Sequence, residues 1–215
     1  TIDWARTNAA EWTEADIRRY FAGCAADYVS TLTPHRLNRH RLLVAQVSGT
    51  EGTVVETEPE LEGELTRITI AFSNARCRTM LERVAQVLCR GGISIQRAYL
   101  DQVADPPHGS VTLLGFVIQT QEGKSVDTAG AAWKQVEHDL TRIKWVDSES
   151  IALANRHEGM TIDEAELMLA LCALAHQRLV HADRLLFSPE RIVAAAERNM
   201  PLVRRIGSLF LGRFD

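Results

Sequence analysis

The chain has 215 residues, of which 46% are hydrophobic and 24% charged, a composition typical of a globular protein with a sizeable core. The formal net charge of -4 excludes a global basic field, so we expect no nucleic-acid partner and no binding to anionic membrane. The four cysteines form no CxxC pair and no apolar run is long enough to cross a bilayer, so we expect buried free thiols in a cytoplasmic protein.

The N-terminal region shows the patterns of two helices. Thr13 and Asp16 lie close to the spacing of a capping box, which satisfies backbone N–H groups at the start of a helix. Apolar residues then recur at helical spacing between Ile17 and Tyr28, which predicts one apolar helix face. A second helix is predicted over residues 35–47.

Charge is divided between this second helix and the segment after it. The helix carries a basic cluster of three residues: Arg36, Arg39 and Arg41. An anion or nucleic-acid patch is one interpretation; a solvated helix face, or contact with an acidic neighbour in a longer chain, is the favoured one. His35 and His40 lie five residues apart, which does not place two ligands on one helix face, so we expect no metal site. Residues 50–63 contain five glutamates with Gly and Pro, and we interpret them as a loop with at most a short strand at Val54-Val55.

The middle of the chain alternates between strand and helix patterns. Residues 67–72 alternate strictly, with Ile68, Ile70 and Phe72 on one side, which predicts a strand with one buried face. The remaining predicted elements are a helix from Ser73 with an apolar face at Met80, Val84, Val87 and Leu88, strands at 93–103 and 111–119 joined by a turn at 105–109, a helix containing Trp133, Val136, Leu140 and Ile143, and a short fourth strand at 144–146.

This order predicts an α+β fold, a ferredoxin-like βαββαβ sandwich flanked by N-terminal and C-terminal helices. Right-handed crossovers place both helices on one face of the sheet, so a partner sheet or the flanking helices must cover the other face. We expect three regions: N-terminal helices and linker at 1–63, the βαββαβ domain at 64–147, and a helical segment at 148–215.

The C-terminal region is expected to be helical. Thr161 and Glu164 have capping-box spacing, and residues 165–180 are apolar on nearly all sides, which indicates a helix buried in a larger assembly. Ser188 followed by Pro189 is typical of a helix start, and Pro201 should kink that helix.

No catalytic motif is visible in the sequence. GxGxxG, GxxxxGK[ST], GxSxG and HExxH patterns are all absent, so the standard nucleotide, nucleophile-elbow and zinc-helix mechanisms are not expected. Asp163, Glu164 and Glu166 fall in the first turn of a helix, where carboxylates complement the helix dipole. We therefore expect no catalytic residue, metal or cofactor in this chain.

The turn between the helix that starts at Ser73 and the strand at 93–103 is the main candidate binding feature. Gly91 and Gly92 are typical of a helix C-cap, which is the simpler interpretation. The functional interpretation is a small effector pocket, in which backbone N–H groups bind the carboxylate of an amino acid. The candidate effector-binding residues are Asn74, Ala75, Arg76, Gly91, Gly92 and Ile93.

The stretch from Arg67 to Val146 resembles an ACT domain, with Gly91 to Ile95 similar to that family's helix-to-strand turn. More specifically, Ile93 to Asp101, followed by the apolar strand Val111 to Gln119, is similar to the N-terminal region of the large NAD-specific glutamate dehydrogenases. The closing stretch, from Asn199 to Asp215, resembles the segment that precedes the catalytic part of that family.

This resemblance implies a non-catalytic regulatory and assembly segment of an enzyme that uses NAD to convert L-glutamate to 2-oxoglutarate and ammonia. The catalytic residues would lie outside this segment, and its partners would be the rest of the same polypeptide, further copies in a homo-oligomer and a small amino-acid effector. Where ACT ligand sites carry an acidic residue, proline and glycine, this chain has Ser73 to Arg76. The alternatives are a purely structural oligomerisation module and a stand-alone ACT-type amino-acid-binding regulator.

Overall fold

A computed structural model describes residues 12–59, 64–105 and 108–213, which form an α+β structure in two units. The first unit extends to Trp145 and contains α1 (Glu14–Ala22), α2 (Ala26–Ser30), α3 (Pro34–Val47), β1 (Thr53–Pro59), β2 (Thr66–Ser73), α4 (Cys77–Arg90), β3 (Ile93–Asp105), β4 (Gly109–Thr120) and α5 (Ala131–Arg142). The second unit begins at Val146 and contains α6 (Ser148–Arg156), α7 (Ile162–Leu179), α8 (Pro189–Arg198) and α9 (Met200–Leu211). Parts of the predicted linker, turn and closing stretch, at residues 60–63, 106–107 and 214–215, lie outside the described residues.

The first unit is built on a four-stranded antiparallel sheet with the strand order β1-β2-β4-β3. β2 and β3 are joined through α4 and leave β4 between them, which is the split β-α-β arrangement. The predicted loop at 50–63 is wrong over Thr53–Pro59, because the short strand expected at Val54-Val55 extends over this whole stretch as β1. The chain order of the described elements around the sheet is therefore ββαββα rather than βαββαβ.

The predicted fourth strand at 144–146 is also wrong, because residues 143–145 form a turn. β1 already pairs with the edge of β2 that a fourth strand would use. The turn is held in place by side chains: Lys144 Nζ lies 2.5 Å from Glu51 Oε2 and donates to Ser73 Oγ at 3.2 Å. Arg83 donates to the carbonyl oxygens of Ile143 and Lys144, each at 3.3 Å.

Both faces of the sheet are covered by helices of the same chain. On one face the predicted apolar residues of β2 (Ile68, Ile70, Phe72) and of the two helices α4 and α5 are buried as expected. On the other face α1, α2 and α3 pack over alternate residues: Ile17, Tyr20, Tyr28, Leu37, Leu43, Val44 and Val47 form a core cluster with Ala71, Val103, Val111 and Leu113. Of the two coverings predicted for this face, the flanking helices are therefore the correct one.

The predicted continuous helix face from Ile17 to Tyr28 is interrupted at Gly23. The capping box of Thr13 and Asp16 is confirmed, but α1 ends at Ala22 and Gly23 lies against β3. A Cβ at Gly23 would lie 2.2 Å from the carbonyl oxygen of Ala104, so this close approach requires glycine. The chain restarts as α2, and Tyr28 reaches the core from that short helix.

The second unit consists of helices. The capping box of Thr161 and Glu164 at the start of α7 is confirmed. The expected kink at Pro201 is instead a break between two helices, with Asn199 as the residue that separates α8 from α9. Within the described ranges, no helix has the length and apolar character that a membrane crossing needs. All four cysteines are free as expected, but only Cys172 is buried: Cys24 and Cys77 are partly exposed and Cys89 is exposed.

Candidate ligand-binding cleft

The predicted effector residues at the start of α4 mainly support the local structure. Asn74 has a φ of 47°, and its side chain donates to the carbonyl of His108 at 3.1 Å and accepts from Ser110 N at 3.0 Å. The Ala75 carbonyl accepts a hydrogen bond from Thr112 Oγ1 at 3.3 Å. Arg76 is the N-cap residue of α4 and its side chain makes no capping hydrogen bond. Asn74 and Ala75 thus connect this loop to β4.

The predicted effector residues at the other end of α4 form a close turn. A Cβ at Gly91 would lie 2.6 Å from Val136 Cγ2, so glycine allows α5 to approach here. Gly92 has a φ of 69°, the left-handed conformation that favours glycine at a helix C-terminus, and Ile93 is buried and pairs with Thr120. α4 has 14 residues, so these two groups of predicted residues lie about 21 Å apart and do not converge within one chain.

A polar cleft lies elsewhere, on the sheet face that α3 covers. Its volume is about 210 Å³, and its lining includes Arg36, His40, Arg67, Thr69, Asp101 and Gly115. Sequence reasoning missed this cleft, because its residues come from one helix and three strands that share no sequence motif. The floor is open because Gly115, between Thr69 and Tyr99 in the cross-strand row, places no side chain there.

A register shift in β3 directs two side chains into the cleft. Ile95 pairs with Ile118 whereas Arg97 pairs with Val117, so Gln96 is an extra residue in the strand. Without this bulge, alternation along the strand would turn Tyr99 and Asp101 to the opposite face, where α4 lies. Bulges commonly re-aim a side chain beside a functional site. This bulge places Asp101 under α3.

Arg36 and Asp101 form the central ion pair of the cleft. Arg36 Nη2 lies 2.5 Å from Asp101 Oδ2, and the two side chains are 19% and 13% exposed. The Arg36 guanidinium also lies 5.2 Å from the ring centre of Tyr28 and 5.8 Å from that of Tyr99. Burial raises the pKa of Asp101, and the neighbouring Arg36 opposes this rise. The pair thus brings a cation and an anion together in a partly desolvated place.

A second ion-pair cluster attaches α3 to β1. The Arg39 side chain is 7% exposed, its Nε donates to Glu56 Oε2 at 2.7 Å, and its guanidinium pairs with Glu58. The basic cluster predicted to lie on a solvated face, or to meet an acidic neighbour in a longer chain, instead pairs with carboxylates of this chain at Arg36 and Arg39. The missed signal was the alternation of Val54, Glu56 and Glu58, which places both glutamates on one face of a strand.

A buried hydrogen-bonded chain of two tyrosines ends on His40, which lines the cleft. Tyr20 Oη lies 2.8 Å from Tyr28 Oη, which lies 2.9 Å from His40 Nδ1. Burial, and then the charges of Arg36, Arg39 and Arg67, lower the pKa of His40 to about 3. Burial raises the pKa of both tyrosines. These groups are therefore neutral near pH 7, and His40, the member that lines the cleft, is not poised to act as an acid or a base there.

The arrangement suits binding more than reaction chemistry. Burial, followed by the charge of Asp101, raises the pKa of the nearby Cys24 thiol to about 12, so this thiol is a poor nucleophile. Within the described part of the chain, no three His, Cys, Asp or Glu side chains come together as metal ligands. The cleft offers guanidinium, carboxylate and hydroxyl groups, which can hold a small charged molecule.

Comparison with known proteins places the chain in no family: no protein-family model matches it, and a search of curated proteins finds no match.

Proposed function

We propose that the chain is a non-catalytic regulatory and assembly segment of an NAD-specific glutamate dehydrogenase, and that it responds to a small amino-acid effector. The observation that carries the regulatory part is the cleft between α3 and the sheet, which has charged groups for a small ligand and whose lining histidine, His40, is neutral near pH 7. The rest of the same cytoplasmic polypeptide would supply NAD binding and catalysis.

The sheet supports an ACT-like interpretation through its connections. In a βαββαβ sandwich the last strand adds to the edge beside the first strand. Here β1, which precedes β2 in the chain, takes that edge position. We interpret the unit as a ferredoxin-like sheet whose edge strand comes from the N-terminal side.

Calorimetric titration of the chain with the common amino acids tests the regulatory proposal. Saturable heat, together with a rise in melting temperature, is expected for at least one amino acid, because a ligand that binds only the folded state stabilises it. Absence of heat and of a thermal shift with every amino acid would remove the regulatory function. Extending the coding sequence past Asp215 tests the parent enzyme and separates it from a stand-alone regulator: a glycine-rich strand–turn–helix and a lysine-bearing substrate domain are expected there.

The assembly part of the proposal is supported by leucines of the second unit. Leu185 is 82% exposed and Leu209 is 71% exposed, and apolar side chains that stay in water favour contact with another surface. The same exposed leucines support a second candidate function, a purely structural oligomerisation module. Light scattering should show dimers or larger species without any ligand, and a strictly monomeric chain would contradict assembly while leaving amino-acid binding untouched.

A further inference from the structure

We propose that the cleft under α3 binds a free α-amino acid as a zwitterion, which separates Arg36 from Asp101 and bonds to both. The ligand carboxylate pairs with Arg36 and its ammonium group pairs with Asp101. This inference rests on the proposed regulatory function, and it names the site and the chemical group that the effector must carry.

The ion pair selects for both charges of the ligand. Arg36 and Asp101 are each less than one-fifth exposed, so neither charge can lose its partner without a penalty from incomplete solvation. A zwitterion replaces one ion pair by two and leaves the net charge unchanged. A carboxylic acid without the amino group would leave Asp101 unpaired, and an amine without the carboxylate would leave Arg36 unpaired.

The floor of the cleft provides the space. A glycine inside a strand weakens it and often marks a place where a ligand approaches the backbone. At Gly115 an added Cβ would make ordinary contacts of 3.6 Å with Tyr99, so packing does not require glycine here. Thr69 and Tyr99, the cross-strand neighbours of Gly115, flank the open space.

The bulge at Gln96 supports the same site independently. It places Asp101 on the face where Arg36 can reach it, although the two residues are 65 positions apart in sequence. The bulge interrupts the hydrogen-bond ladder between β3 and β4, which destabilises the sheet locally. It also places the carboxylate of Asp101 at the side of the cleft.

Calorimetry with the 215-residue chain tests the ligand class. For any amino acid that binds, the 2-hydroxy acid and the amine of the same side chain are expected to bind at least tenfold more weakly. Equal affinity for the 2-hydroxy acid would overturn the zwitterionic mode.

Substitutions at Gly115 and Arg36 test whether the amino acid binds in this cleft. Gly115→Ala and Gly115→Val should weaken amino-acid binding progressively, by at least tenfold for valine, with no loss of melting temperature for alanine. Arg36→Gln should also weaken it at least tenfold, whereas Arg18→Gln, at an exposed pair with Glu14, is the matched control and should leave affinity unchanged. Full affinity in both Gly115→Val and Arg36→Gln would overturn the site but leave the regulatory function standing; no binding by the unaltered chain would end both.

Discussion

At the scale of single residues, the side chains beneath α3 are buried or half-buried, and the partners that surround them come from other elements of the fold. His40 is buried among three arginines and stays neutral, while Asp101 stays paired with Arg36. Neither arrangement has a local signal in the sequence, because the partners come from distant elements. The pairing of Asp101 with Arg36 depends on the register of β3, and the hydrogen bond of His40 depends on the position of Tyr28 in α2.

The neutral His40 makes stability depend on pH. Its pKa is about 3 in the folded chain against an ordinary 6.5, so the unfolded chain binds a proton first as the pH falls. The free energy of unfolding should therefore fall between pH 6.5 and pH 3, by up to about 1.4 kcal/mol per pH unit from this group.

Urea unfolding of the unaltered chain and of His40→Gln across this range measures the effect. The variant should show a shallower loss, while His35→Gln, at a side chain that is 74% exposed, is the control and should follow the unaltered chain. Identical profiles for the unaltered chain and His40→Gln would contradict the assigned neutral state.

At the scale of elements, helix faces followed from periodicity and two helix starts followed from capping boxes, whereas the edge strand did not, and α4 begins at Cys77 rather than at the predicted Ser73. The apolar faces of α4 and α5 were predicted residue by residue, because a 3.6-residue period is local. The sequence pattern favours a loop over most of β1, because its glutamates hide the alternation and its partner strand lies in another region. The predicted strand at 144–146 is wrong because β1 already pairs with the edge of β2 that this strand would use. Which of two segments takes an edge is not visible in either segment alone.

Helix capping gives a matched pair of substitutions in the second unit. Thr161→Ala should lower the free energy of unfolding by about 1 kcal/mol, because Thr161 Oγ1 accepts from Glu164 N at 3.1 Å in a full capping box. Ser188→Ala, at an N-cap whose side chain makes no capping hydrogen bond, is the control and should change it by less than about 0.5 kcal/mol. Equal effects in thermal unfolding would contradict the capping assignment.

The contribution of the Arg39 ion pairs, which attach α3 to β1, to the free energy of unfolding can also be measured. Arg39→Gln should lower the free energy of unfolding by about 2 kcal/mol, because it removes a buried cation that pairs with Glu56 and Glu58. Arg18→Gln serves again as the exposed control, with an expected change of less than about 0.5 kcal/mol. A loss for Arg39→Gln no larger than the control would show that this ion pair does not hold the helix.

At the scale of the whole first unit, helices pack on both faces of the sheet, and a polar cleft remains open on the face that α3 covers. The composition and the strand and helix patterns were enough to predict an α+β fold with helices on one face of the sheet, and they left a partner sheet and the flanking helices as alternatives for the other face. The predicted effector residues divide between the two ends of α4, because the 14 residues of this helix separate them. The cleft instead depends on cross-strand pairing, a bulge and a glycine, which only the assembled sheet brings together.

The central claim is that this cleft is the effector site. The backbone amide signals of the glycines test this claim directly. Nuclear magnetic resonance of the chain labelled with 15N-glycine, titrated with an amino acid that gives calorimetric heat, reports each backbone position separately. The Gly115 signal should shift saturably while those of Gly91 and Gly92 stay in place. Saturable shifts at Gly91 and Gly92 with an unmoved Gly115 would contradict the account and return the site to the turn after α4.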